Sequence, residues 1–166
     1  NITKIFFYKL EMSHNLPDLF VCVLILNFEA KCGIISYNME AFYVKYSLKI
    51  AEYSVVAQNG VCRVWVNHCR TSGYGVINVQ CPLTGAWNVT NAHRLSYIVF
   101  NRQYNNINGL DVSHLCHNRS CVLAEHLVVE LRATNSSRTK CLLRGVCQGH
   151  GPHPNCLLQY AVNNNG

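Results

Sequence analysis

The sequence predicts an α+β fold that combines a small antiparallel β-sheet with short helices. Three observations favour it: two strand-like segments flank an Asn-Gly turn, a later segment carries an apolar stripe at helical spacing, and residues 113–156 concentrate cysteine and histidine. The chain of 166 residues is long enough for one domain. Only 13% of the residues are charged, which indicates that bound metal supplies part of the stability.

The N-terminal part of the chain carries fewer signals. Residues 1–52 are predicted to form an extension that packs on the main domain of residues 53–166. Within this extension, residues 42–50 alternate apolar and polar side chains, which predicts a half-buried strand. The apolar run at residues 19–28 is too short to span a bilayer, so no membrane partner is expected.

An Asn-Gly pair predicts a β-hairpin. Asn59-Gly60 favours the type I′ turn that closes a two-residue hairpin, and residues 52–58 and 61–66 on either side have the composition of strands. Residues 69–75 predict a loop, and Val76–Gln80 predicts a third strand of the same sheet.

Residues 88–102 predict a helix. Thr90 or Asn91 can cap its N-terminus, and one face of the segment carries an apolar stripe. The stripe consists of Leu95, Ile98 and Val99.

The cysteine-rich region predicts the order strand, strand, helix. Residues 110–112 form a short strand that ends at Ser113 and His114. Residues 127–131 are its predicted antiparallel partner, and residues 133–140 are predicted to form a short helix.

Excess basic charge is confined to the part of the chain after residue 52. Residues 1–52 carry five Lys/Arg and five Asp/Glu, whereas residues 53–166 carry nine and three and thus the whole net charge of +6. Positive charge suits a polyanionic partner such as nucleic acid. A mildly basic protein without such a partner has the same composition, so charge supports this interpretation without establishing it.

The ten cysteines predict either disulfides or bound metal. A secreted disulfide-bonded domain spreads its cysteines through loops with few histidines between them, whereas six cysteines here lie in a pattern with histidines. This pattern favours zinc, which takes four nitrogen or sulfur ligands, and a reducing compartment. The remaining cysteines are most simply small buried apolar residues. They are Cys22, Cys32, Cys62 and Cys81.

The ligand-rich run resembles the His-Cys box homing endonucleases, which belong to the wider His-Me finger (ββα-metal) nucleases. The resemblance rests on residues 113–121 (SHLCHNRSC), residues 125–127 (EHL), Asn135 and the later cysteine cluster, and it extends from about Cys69 to Cys156. It implies that residues 53–166 form a nuclease domain with a ββα-metal core, stabilised by two structural zinc ions.

For catalysis, the resemblance implies a histidine base and one magnesium ion. His114 corresponds to the histidine that activates water, and Asn135, nine residues after His126, corresponds to the Mg²⁺ ligand. Arg94, in the helix before this site, could steady the scissile phosphate. His114 also lies two residues from Cys116, which leaves open a role as a third zinc ligand.

The resemblance also implies the two zinc sets. In the first, Cys69 is the distant ligand because it begins the loop before Gly73, where the family has such a residue, with Cys62 and Cys81 as alternatives. In the second, His150 and His153 compete, and His150 is preferred. The predicted sets are Cys69, Cys116, Cys121 and His126, and Cys141, Cys147, His150 and Cys156.

The partner that the resemblance implies is double-stranded DNA, cut at a specific site by a homodimer in the nucleus. A β-ribbon fits the major groove, where Arg, Asn and Gln side chains can read base edges. The predicted DNA-binding residues are Arg63, Asn67, Arg70, Asn78 and Gln80. Two alternatives are a degenerate, zinc-stabilised DNA-binding module without catalysis and a secreted disulfide-bonded domain.

Overall fold

The computed structural model describes residues 38–58, 60–104 and 107–161 of the chain. Most of the predicted N-terminal extension, with its apolar run at residues 19–28 and with Cys22 and Cys32, lies outside these residues. None of the described helices is long and apolar enough to cross a lipid bilayer.

Helix α1 covers residues 38–52, where the sequence predicted a strand over residues 42–50. The prediction was wrong because the alternating residues do not share one side of the segment. Phe42, Tyr46 and Ile50 are buried, whereas Val44 and Leu48 are 50% and 66% exposed. Residues buried at every fourth position lie on one face of a helix. The strand prediction had assigned the buried and the exposed apolar residues to a single face.

The predicted first hairpin forms. Strand β1 (Ser54–Val56) pairs antiparallel with β2 (Arg63–Trp65), with Ser54 opposite Trp65. The reversal is closed by the Gly60 amide, which donates to the Ala57 carbonyl oxygen at 2.8 Å. The chain therefore turns one residue earlier than the predicted two-residue turn, and Asn59 lies outside the described residues.

The next two strands form a second, separate ribbon. Strand β3 (Val76–Gln80) lies where the sequence predicted it, and it pairs with β4 (Trp87–Asn91) rather than with the first hairpin. The predicted helix over residues 88–102 is thus replaced at its start by a strand. Helix α2 (Ala92–Asn101) follows directly, with Asn91 at its N-cap position but without a capping hydrogen bond from that side chain.

The main core lies between α1, the two ribbons and α2. Leu95 and Val99 of the predicted stripe are 1% and 4% exposed, and Ile98 packs beside them. Phe42 of α1 packs against Tyr46 and, edge to face, against Tyr104, and the Tyr46 hydroxyl accepts a hydrogen bond of 2.7 Å from the Gln80 backbone amide of β3. These contacts attach the second ribbon to helix α1.

The predicted strand–strand–helix unit is confirmed. Strand β5 (Asp111–His114) pairs antiparallel with β6 (Leu127–Glu130), so that His114 lies opposite Leu127. A short 3₁₀ turn (Ala124–His126) precedes β6. Helices α3 (Arg132–Arg144) and α4 (Leu158–Ala161) complete the fold. The result is the α+β class with small antiparallel sheets that the sequence predicted.

Candidate metal centres and polar cleft

Two groups of cysteine and histidine side chains converge, each with three sulfurs and one imidazole. Within each group the potential donor atoms all lie within 4.8 Å of one another. The first group consists of Cys62, Cys116, Cys121 and His126, and the second of Cys141, Cys147, His150 and Cys156.

The first group has the dimensions of a tetrahedral zinc site. His126 Nδ1 lies 3.6 Å from Cys62 Sγ and 3.7 Å from Cys121 Sγ, close to the edge of about 3.5 Å that zinc–sulfur and zinc–nitrogen bond lengths imply. Burial raises the pKa of the Cys62 thiol to about 11. A divalent cation would supply the charge that buried thiolates need.

The structure places Cys62 in this group, and the prediction of Cys69 is wrong. Cys69 is exposed, and its thiol donates to the backbone carbonyl of Asn67 at 3.4 Å. Cys62 was one of the two alternatives that the sequence left open.

Cys62 reaches the other ligands because the strand that follows it pairs with the ligand loop. The Trp65 amide donates to the Ser120 carbonyl at 2.8 Å, and the Val122 amide donates to the Arg63 carbonyl at 2.7 Å. These bonds place β2 beside the loop and so align Cys62 with it. Sequence spacing carries no signal for such a long-range pairing.

The second group contains His150, as the sequence preferred, and not His153. His150 Nε2 lies 3.5 Å from Cys141 Sγ and 3.3 Å from Cys156 Sγ. Its Nδ1 lies 2.9 Å from the Ser137 hydroxyl, which itself donates to the Thr134 carbonyl. The hydroxyl oxygen must therefore accept from Nδ1–H, which leaves the Nε2 lone pair for a metal ion.

A polar cleft lies between strand β5 and helix α3, and it contains both predicted catalytic side chains. Its walls include Tyr74, Ser113, His114, His117, Arg119, Asn135 and Arg138. His114 is not among the converged metal-ligand side chains of either group.

The ring of His114 is held by the first metal loop. Its Nε2 lies 3.0 Å from the carbonyl oxygen of Cys121. Because a carbonyl can only accept, Nε2 carries the proton and Nδ1 carries the lone pair. The rings of His93 and Tyr74 lie 4.5 Å and 6.0 Å from that of His114.

Burial keeps this histidine uncharged. Desolvation, with a further contribution from the neighbouring His93, lowers the pKa of His114 to about 3. Burial likewise lowers the pKa of His93 to about 4. Both imidazoles are neutral at physiological pH, which is the form that can accept a proton.

The carboxamide of Asn135 is oriented by Asp111. Asn135 Nδ2 donates to Asp111 Oδ2 at 3.0 Å, and the amide oxygen has no hydrogen-bond donor among the described residues. Since the amino group is already bound, the oxygen is the free end, and oxygen is the donor atom that Mg²⁺ prefers.

Arg94 does not lie in this cleft. Its guanidinium donates to the carbonyl oxygens of Leu110 and Ile107 at 2.8 Å and 2.7 Å, which fixes the loop before β5. The cleft instead contains Arg119, which donates to the Ser72 carbonyl and lies 5.7 Å from the ring centroid of Tyr74.

The predicted DNA-binding residues separate into two sets. Asn67, Arg70 and Asn78 line one groove together with Lys49, His68 and Val89, and Gln80 lies further along β3. Arg63 is elsewhere, because its guanidinium donates to the Ser54 hydroxyl and to the Ala51 carbonyl oxygen and so attaches β2 to α1.

Comparison with known families found one that fits this arrangement. Residues 48–165 match the family described as the zinc-binding loop region of homing endonuclease. That range includes both metal groups, the cleft and the second ribbon. No curated protein and no solved structure matches the chain.

Proposed function

The chain belongs to the His-Cys box homing endonucleases, and on this basis we propose that it hydrolyses double-stranded DNA at a specific site, with His114 as the general base and Asn135 as the ligand of one Mg²⁺ ion. The observation that carries the proposal is that both side chains line one cleft, between strand β5 and helix α3. Two zinc ions, one in each Cys₃His group, would stabilise the loops around it.

The proton transfer follows from the tautomer of His114. Its Nε2–H is bound to the Cys121 carbonyl, so Nδ1 accepts the proton of a water molecule as that water attacks the phosphorus atom. The bond from phosphorus to the 3′ oxygen breaks, the departing oxygen takes a proton from solvent water, and the products are a 3′ hydroxyl and a 5′ phosphate. The Cys121 carbonyl orients the ring and stabilises the imidazolium that forms.

Asn135 is suited to hold the magnesium ion. Asp111 binds the amino end of the carboxamide, which leaves the oxygen for the cation. When bound, the ion neutralises charge on the phosphoryl oxygens and stabilises the departing 3′ oxygen.

Arg119 replaces Arg94 as the residue proposed to contact the scissile phosphate. It lies in the cleft, its guanidinium is positioned by the Ser72 carbonyl and the Tyr74 ring, and the remaining N–H groups can donate to a phosphate oxygen. Arg94 already uses its guanidinium to bind two backbone carbonyls.

The groove beside the second ribbon is the proposed DNA-binding surface. It places Lys49, Arg70, Asn67 and Asn78 together, a combination of charge for phosphates and amides for base edges. We further propose that two copies of the chain act as a homodimer, since cutting both strands needs two clefts, and that the protein acts in the nucleus.

The test is cleavage of a randomised plasmid library in the presence of Mg²⁺. Wild type should cut a defined set of sequences, and His114→Ala and Asn135→Ala should each lower the rate at least about a hundredfold. Asn101→Ala, an exposed asparagine at the end of α2, is the matched control and should cut at the wild-type rate.

Two results would contradict the proposal. If the wild-type protein binds DNA and two zinc ions but does not cut, the degenerate DNA-binding module is the correct interpretation. If cleavage persists in both variants, the cleft is not the catalytic site.

A further inference from the structure

Over two of its cross-strand pairs, the outer face of the second ribbon has a polar strand, β3, beside an apolar strand, β4; the third pair, Val76 with Asn91, has the reverse order. In an antiparallel pair, residues opposite each other point to the same side of the sheet. Asn78 lies opposite Val89, and Gln80 lies opposite Trp87. The opposite face of β3 packs into the protein, because Val79 is 8% exposed and belongs to the main core.

The apolar strand of this face is open to solvent. Trp87 and Val89 are 63% and 61% exposed, and Lys45 Nζ lies 5.7 Å from the centroid of the Trp87 ring. Large apolar side chains that are exposed side by side mark an interaction surface more often than chance. The cations around them, Lys45, Lys49 and Arg70, favour a polyanion as the occupant.

We propose that this face reads A·T base pairs in the major groove, with the polar strand on adenine and the apolar strand on the thymine methyl groups. The inference rests on the proposed function, in which DNA is the substrate. Within one A·T pair, the major groove presents adenine N7 and N6–H₂ next to the thymine methyl. An amide beside an apolar side chain is complementary to that pattern, and a G·C pair lacks the methyl.

The dimensions of the ribbon agree with those of DNA. Asn78 and Gln80 are two residues apart on β3, a separation of about 7 Å along a strand. Two base-pair steps also cover about 7 Å. The Asn78–Val89 pair and the Gln80–Trp87 pair therefore match A·T pairs two steps apart.

The two cross-strand pairs differ in what they can donate. The Asn78 carboxamide can both donate to N7 and accept from N6 of adenine. One N–H of the Gln80 amide donates to the Gly85 carbonyl at 3.1 Å, which leaves the second N–H and the oxygen for a base. Among the described residues no such bond holds the Asn78 side chain, so its whole carboxamide is available to adenine.

The second ribbon is also connected directly to the cleft. Tyr74 lines the cleft and β3 begins two residues later, while the Ala92 amide of α2 donates to the Gly75 carbonyl at 2.8 Å. A base pair held by Asn78 and Val89 is thereby fixed in position relative to His114.

The experiment is a binding selection on duplex DNA with randomised sequence, using full-length protein that carries His114→Ala so that the DNA stays intact. This protein, in which the ribbon residues are unchanged, should enrich DNA with A·T pairs at two positions that lie two base-pair steps apart. Replacing thymine by uracil at the first position, which removes only the methyl, should weaken binding about fourfold. Replacing adenine there by 7-deazaadenine, which removes N7, should weaken binding about fivefold or more.

Variants assign each effect to its residue. Val89→Ala should lose the sensitivity to uracil and keep that to 7-deazaadenine, and Asn78→Ala should show the reverse. Val56→Ala, which truncates a valine of β1 that is 62% exposed, is the matched control and should keep both.

The possible failures are distinguishable. Protein that binds duplex DNA without any A·T enrichment overturns this inference alone, as does uracil sensitivity that is equal with Val89 present and in Val89→Ala. Protein that binds no duplex overturns the proposed function and this inference together.

Discussion

At the scale of single residues, the first metal centre shows the limit of spacing as a signal. Cys116, Cys121 and His126 follow one another at short intervals, and the sequence was sufficient to group them. The fourth ligand is more than fifty residues away, and the sequence left three cysteines open for its place, Cys69, Cys62 and Cys81. Only the pairing of β2 with the ligand loop decides between them.

Replacing Cys62 and replacing Cys69 should therefore have opposite results. Cys62→Ser should reduce bound zinc from two ions per chain to one and lower the melting temperature, because a hydroxyl is a poor zinc ligand and the buried site loses its charge balance. Cys69→Ser should keep both ions. Zinc content measured by native mass spectrometry gives the answer, and loss of zinc from Cys69→Ser would restore the sequence-based assignment.

The side chains of the cleft differ in how far the sequence pointed to them. His114 and Asn135 were predicted as site residues because they lie within the recognisable ligand run. Arg119 lies in the same run, but its position beside the cleft depends on the loop that carries Ser72 and Tyr74. Arg94 had the right residue type on a suitable helix, yet the carbonyls of Ile107 and Leu110 bind it.

At the scale of elements, helix α3 connects the two strands of the cleft to the second metal centre. Arg138 donates from two nitrogens to the Glu130 carboxylate of β6, each at 2.7 Å, and from a third to the Pro154 carbonyl at 2.9 Å. Both charged residues of the pair are at most 2% exposed. The same helix makes a second ion pair, Arg132 with Asp111, in which the arginine is 86% exposed.

These two ion pairs offer a matched comparison on one helix. Arg138→Met should lower the free energy of unfolding by about 3–5 kcal/mol, since it leaves the Glu130 carboxylate buried without a partner. Arg132→Met should change it by less than about 1 kcal/mol, because water and salt screen an exposed pair. Urea unfolding at saturating zinc measures both, and equal losses would contradict the assignment.

The elements also differ in how well the sequence predicted them. Strands β5 and β6 and helix α3 form a local unit whose parts are neighbours in the chain, and they were predicted in order. Residues 42–50 and 88–91 were predicted wrongly, since their structure depends on which side meets the distant core. Tyr46 is buried because it contacts β3, which no local pattern reveals.

At the scale of the whole molecule, two buried imidazoles make stability depend on pH. The folded-state pKa values of His93 and His114 are lowered to about 4 and about 3, mainly by burial. Between those values and the ordinary pKa of about 6.5, the unfolded chain binds more protons than the folded one. The free energy of unfolding therefore has its full value above pH 6.5 and falls as the pH drops towards 4.

One substitution isolates this effect from zinc loss in acid. Between pH 7.5 and pH 5.5, His93→Phe should lose about 1 kcal/mol less of its unfolding free energy than wild type does, because one buried imidazole no longer resists protonation. His68→Phe changes an exposed imidazole and should behave as wild type. Chemical unfolding at the two pH values provides the measurement, and identical losses in all three proteins would contradict the prediction.

The distance along the chain between Cys62 and its three fellow ligands has a consequence for biosynthesis. A ribosome releases the chain from its N-terminus at about 5–20 residues per second. Helix α1, the two ribbons and α2 therefore emerge before residues 116–126, which supply the other three ligands of the first centre, have been synthesised. The first ion cannot be captured before then, and the second must wait for Cys156. Until that moment the nascent polypeptide carries metal-ligand thiols without their metal, so both metal centres are completed late in synthesis.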